Sequence, residues 1–199
     1  MSATDKEPAK RLPSGRHGLP RELVERNQRE RLIAAMAEVC AETGYAGSSV
    51  AEVTKRAGVS IASFYRQFKD RRECMLASFE ELFGRLLEAL DGACAGESSP
   101  AARARTGAAL AADLLAADSP TARLLSVEIL AVGADGVLAQ QGAIDRMAFL
   151  LRGGAGPAPS QPPDAAWVVV AAMVSLTARR VAEGASPTAA ELSALAADL

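Results

Sequence analysis

Apolar residues recur at every third and fourth position through most of this chain, and β-branched residues seldom fall in runs. That spacing gathers apolar side chains into one stripe along a helix, so the expected fold class is all-α. Breakers then set the bounds. Pro20 suits a first helical position, and the stripe Leu32, Ile33, Met36, Ala37 and Cys40 runs up to Gly44, which ends the first helix. Further helices are predicted over 50–57, 61–67, 70–90, 101–117, 120–131, 136–152, 164–184 and 187–198, about nine in total. The runs 92–100 and 153–163 read as loops, the latter holding three Gly and four Pro.

Composition excludes several function classes. There is one histidine, and the three cysteines, Cys40, Cys74 and Cys94, lack C-x-x-C spacing, so a metal site or a histidine-dependent catalytic apparatus has little to build on. No cofactor and no metal are expected. Cys40 falls on a core stripe, while Cys94, in a loop by this reading, is the candidate for exposure. An odd cysteine count and an N-terminus without an apolar export segment point to a reducing, cytoplasmic setting. The ten apolar residues from Ala165 to Val174 are about half of the ~20 that a membrane span needs. A helix apolar all round is buried on two sides, which points to a second subunit against 164–184 and 187–198.

Charge divides the chain unevenly. Residues 1–72 hold 14 Lys and Arg against 9 Asp and Glu, and residues 73–199 hold 8 against 15. A basic head on an acidic body suits a polyanion partner that touches only the head. Three domains follow: an arm over 1–19, a head over 20–72 and a body over 73–199.

The stretch from Ser48 to Arg72 carries the specific signal. Two short helices join through Gly58-Val59-Ser60, where Gly58 takes a left-handed conformation and Ser60 caps the second helix. Val50, Val53, Ala57, Val59, Phe64 and Phe68 form the inner face, leaving Ile61, Ala62, Ser63, Tyr65 and Arg66 outside, as on a helix pressed into a major groove. Here the chain resembles the TetR family of bacterial transcriptional regulators. The resemblance rests on Gly44-Tyr45, Ser49-Val50, Ala57-Gly58-Val59-Ser60 and Phe64-Tyr65-Arg66-Gln67-Phe68, and it is strong over 28–80. Gln67 and Arg71 stand where the family usually has His and Lys.

The resemblance implies a three-helix DNA-binding head with a helix-turn-helix, followed by a helical ligand-binding and dimerisation body. It implies phosphate contacts from Ser49, Tyr65, Gln67, Lys69 and Arg71, with Ile61, Ala62, Ser63 and Arg66 nearest the base edges. Ile61 and Ala62 offer only apolar contact, which suits thymine methyls, whereas Arg66 is able to grip a guanine with two hydrogen bonds. In the body, Phe83, Leu87, Phe149 and Trp167 are the expected apolar ligand contacts, with Glu128 as a polar one. The implied partners are double-stranded DNA, a second copy of the chain and a small apolar effector whose arrival releases a palindromic operator. Two other readings remain: a regulator without a small-molecule ligand, and a helical lipid-binding protein or enzyme.

Arg11 and Arg16 lie in an arm of the composition that enters narrow minor grooves. Deleting residues 1–18 is expected to weaken duplex binding and to flatten its dependence on salt, because fewer counterions are released. Titrations at several salt concentrations check this, and an unchanged slope retires the arm.

Overall fold

The computed structural model describes residues 20–154 and 164–195, and these are helical with no strand among them. Among the described residues nine α-helices follow one another: α1 (Arg21–Gly47), α2 (Val50–Ala57), α3 (Ile61–Gln67), α4 (Arg71–Cys94), α5 (Pro100–Ala117), α6 (Ser119–Ser126), α7 (Ala134–Leu151), α8 (Ala165–Ala182) and α9 (Ala189–Leu195). A 3-10 turn, Glu128–Val132, lies between α6 and α7. The arm, with Arg11 and Arg16, and the segment 155–163 lie outside the described residues.

Local chemistry explains most element starts. Ser49, Ser60, Asp70, Ser99, Asp118 and Asp164 each accept a hydrogen bond from a backbone N–H in the first turn of the helix that follows. Pro at the start of α5 and α6 loses no helical hydrogen bond there. Several bounds differ from those expected, the first being α1, which kinks at Gly44 and runs on to Gly47. Helix α4 continues through Gly92 to Cys94, because Leu90 and Cys94, one turn apart, are both buried and offset the cost of glycine. The helix expected over 120–131 breaks at Val127 and tightens into the 3-10 turn, which carries Glu128 inward. The last helix starts at Ala189, where the Thr188 hydroxyl and the Glu191 carboxylate cap reciprocally.

Two apolar clusters hold the molecule together. One joins Leu32, Met36, Val53, Phe64, Phe68, Met75 and Phe79 of the first four helices to Leu124, Ile129 and Ala143 beyond them. The other gathers small residues of α5, Ala104, Ala108 and Ala112, with Ile144 and Ala148 of α7, Val170 of α8 and Leu192 of α9. Alanines let these helices approach closely.

The tightest approach is at Gly136 in the first turn of α7, where an added Cβ would stand 1.9 Å from the Ile129 carbonyl oxygen. Gly136→Ala is therefore expected to destabilise the fold by about 2 kcal/mol or more, read as a fall in denaturant midpoint with unchanged slope.

Candidate DNA interface and effector cavities

The head is organised around the turn between α2 and α3. Gly58 has φ 60°, ψ 40°, the left-handed conformation that ends α2. The Arg31 guanidinium, reaching across from α1, donates to the carbonyls of Ala57 and Gly58 and so satisfies the orphan acceptors at that helix end. Phe64 is fully buried, in edge contact with Tyr65 and within 5.5 Å of the Phe68 ring, and this anchor fixes which side of α3 faces out.

That outer side holds Ile61 and Tyr65, 52% and 57% exposed, together with exposed Ala62 and Arg66. An exposed isoleucine and tyrosine side by side on a short, well-capped helix form a contact surface without a covering element among the described residues. Ser63 is not on it. Its hydroxyl is buried between the Ser60 hydroxyl at 3.0 Å and Arg66 Nη2 at 2.7 Å, so it positions Arg66 instead of meeting a partner directly. Residues 60, 63, 64 and 67 share one helical side, a signal already available from 100° spacing.

Two of the expected phosphate contacts are occupied internally. Gln67 donates through Nε2 to the Glu25 carbonyl at 3.1 Å and pins α3 to α1. Arg71 donates to the carbonyls of Tyr45 (2.9 Å) and Ser48, and its guanidinium lies 4.3 Å from the centre of the Tyr45 ring. Both side chains are half-buried struts. Ser49 caps α2 and donates its hydroxyl proton to Glu52 at 2.6 Å, while Lys69 stays exposed beside α3.

Head and body meet at a buried carboxylate. Glu128, 6% exposed, accepts from the Tyr45 backbone N–H at 2.8 Å and from Arg123 Nε at 2.9 Å. Tyr45 follows the kink at Gly44, whose φ of 70° interrupts α1. Glu128 therefore ties the end of α1 to the junction of α6 with the 3-10 turn, and it lines neither of the two body cavities described below. Sequence reasoning placed it in a ligand site because nothing local announces a partner 83 residues away.

Two cavities open in the body. The inner one, about 80 Å³, is walled by apolar side chains of α4 to α9, among them Phe83, Ala108, Leu125 and Val170. The outer one is a cleft of about 860 Å³ at the far ends of α4 and α7, where Leu87 and Phe149 face Arg103, Arg146 and Arg152. Of the expected ligand contacts, Phe83 borders the inner cavity, and Leu87 and Phe149 the outer. Trp167 borders neither; its indole N–H donates to Asp145 at 2.9 Å and joins α8 to α7. The cysteines are buried, Cys94 included, and burial pushes the Cys40 thiol up to about 11 and the Cys74 thiol to about 12, so neither is a ready thiolate.

Comparison with known proteins agrees with this geometry. Residues 32–77 match the family model described as bacterial regulatory proteins, tetR family. The fatty acid metabolism regulator protein of Bacillus subtilis is 35% identical over 60 residues, 30% of this chain and 31% of that protein. A helix-turn-helix-type transcriptional regulator of Mycobacterium tuberculosis is 41% identical over 58 residues, 29% of this chain and 30% of its own length. These sequence matches span about a third of the relatives' length. Over the whole fold, the fatty acid degradation regulator FadR from Bacillus halodurans superposes with a TM-score of 0.70 at 19% identity, covering 85% of this chain and 92% of that one. FadR from Bacillus subtilis, solved with stearoyl-CoA, gives 0.65 at 17% identity, covering 83% and 94%.

Removing the Glu128 carboxylate leaves the Tyr45 N–H buried and unpaired and Arg123 without its counter-charge. Glu128→Ala is expected to cost about 2–4 kcal/mol in denaturant unfolding, and Glu128→Gln, which keeps an acceptor, distinctly less.

Proposed function

We propose that this chain, whose residues 32–77 carry the N-terminal domain of the tetR family of bacterial regulatory proteins, works as a homodimeric repressor released from its operator by a small aliphatic molecule. The observation that carries the reading is the outer side of α3, open to solvent while Phe64 locks its inner side. Ile61 and Ala62, at the start of the helix, meet thymine methyls; Arg66, held by Ser63, reaches a guanine edge; Tyr65 and Lys69 bind phosphate.

A palindromic operator requires two such helices roughly 34–36 Å apart. The second copy docks on the outer sides of α7 and α8, where Leu138 is 69% and Val168 54% exposed. Helix α8 is 18 residues long with mean hydropathy 1.5, long and apolar enough to cross a membrane by length and composition, and 22% of it is buried within the chain. A partner protomer covers what remains. Helix α9 contributes less than expected, because its Leu192 is buried in the small-residue cluster of its own chain.

The relatives described as fatty acid regulators support an effector with a hydrocarbon chain. At about 80 Å³ the inner cavity is smaller than the roughly 300 Å³ at which small-molecule sites begin, so a chain enters only by moving a wall. Leu125 and Ser126 of α6 are part of that wall, next to the residues that hold Tyr45 through Glu128. Displacing α6 tilts the end of α1 and spoils the spacing of the two heads, so an effector that fits only the displaced state shifts the population off the operator. The narrow cavity also favours a second reading, a regulator without a ligand. Aliphatic compounds that leave both melting temperature and duplex affinity unchanged would establish it.

Selection of duplexes from a random pool is expected to return a two-fold symmetric consensus. On that duplex Arg66→Ala should cost about 1–3 kcal/mol and relax preference at one base pair, while Lys69→Ala weakens selected and scrambled duplexes alike. Equal losses on both duplexes for Arg66→Ala would remove its assigned role.

A further inference from the structure

The inner cavity and the outer cleft lie back to back, and adjacent residues of the same helices face opposite ways. Leu90 lines the inner cavity and Asp91 the cleft; Leu151 lines the one and Arg152 the other; Leu150 borders both. Leu150 therefore stands between the inner cavity and a polar chamber at the far end of the body.

The three guanidiniums of that chamber are not equivalent. Arg146 is paired with Glu80 at 2.9 Å and stands 4.7 Å over the Phe83 ring, and Arg152 is paired with Asp164 at 2.5 Å. The half-buried Arg103 has no ion-pair or hydrogen-bond partner for its guanidinium among the described residues. It lies against Gly153, where an added Cβ would come within 2.9 Å of Cζ, so the absence of a side chain there gives the guanidinium its room. Glu88, Asp91 and Asp145 line the same chamber. With Arg146 and Arg152 neutralised by Glu80 and Asp164, Arg103 is the cation of the chamber left unpaired among the described residues, beside three further carboxylates and on a body with an excess of acid. A head bearing several negative charges meets Glu88 and Asp91 with a single guanidinium to compensate.

We infer that the outer cleft is the head-group site of a single-chain amphiphile carrying one carboxylate, bound by Arg103, with its hydrocarbon tail passing Leu150 into the inner cavity. The inference rests on the proposed reading of the body as an effector site. It departs from the multiply charged thioester with which the Bacillus subtilis structure was solved.

Calorimetric titration of the full chain with dodecanoate, dodecanol and dodecanoyl-CoA tests it. Dodecanoate is expected to bind roughly tenfold more tightly than dodecanol, and dodecanoyl-CoA no more tightly than dodecanoate. Arg103→Gln should bring dodecanoate down to about the level of dodecanol, weaken dodecanol far less than dodecanoate, and be partly rescued by Arg103→Lys. Equal binding of acid and alcohol, an Arg103→Gln variant that keeps the preference, or tighter binding of dodecanoyl-CoA would overturn the head-group assignment and leave the cavity reading standing. Failure of all three compounds to bind would overturn both.

Discussion

The apolar core of the head does not stop where the helix-turn-helix ends. Phe64 and Val53 beneath the turn belong to the same cluster as Phe79 on α4 and Leu124 and Ile129 of the body. Burial of this kind is the main source of stability, and it permits no independent reorientation of the head without disturbing side chains that also wall the inner cavity. Phe79 does both, lying in the shared cluster and against that cavity.

Polar groups then determine the angle at which the head is held. Arg31, Arg71, Gln67 and Glu128 each satisfy backbone groups at an end or interruption of a helix: the turn after α2, the segment Tyr45–Ser48, the first turns of α1 and the kink at Gly44. Buried backbone groups left unpaired cost more than a typical hydrogen bond contributes, so these four side chains are constraints more than sources of stability. They are also why the charged surface of the head is smaller than its composition implies: two of the basic residues in 28–80, Arg31 and Arg71, face inward.

The body follows another logic. Its alanine-rich α5 lets α7, α8 and α9 close to near contact, leaving a narrow apolar slit in place of an open pocket. Polar and charged residues collect around the cleft at the far ends of α4 and α7. Tail and head of an amphiphile therefore meet two environments that are separated by one layer of side chains, with Leu150 at the boundary.

The sequence alone determined what is local: the helices, the Ser60 cap, the left-handed glycine at 58 and the open face of α3, because each depends on residues within about one or two turns. Its one avoidable misplacement was Ser63, which helical spacing puts on the side of Phe64. Only the tertiary structure decided that Glu128 joins body to head, that Arg71 and Gln67 turn inward, and that Cys94 is buried. Those outcomes depend on partners 23 to 83 residues away, or on a helix running one turn past its expected end. A side chain's own type and neighbours carry no record of which distant backbone group it will reach once the apolar faces have closed.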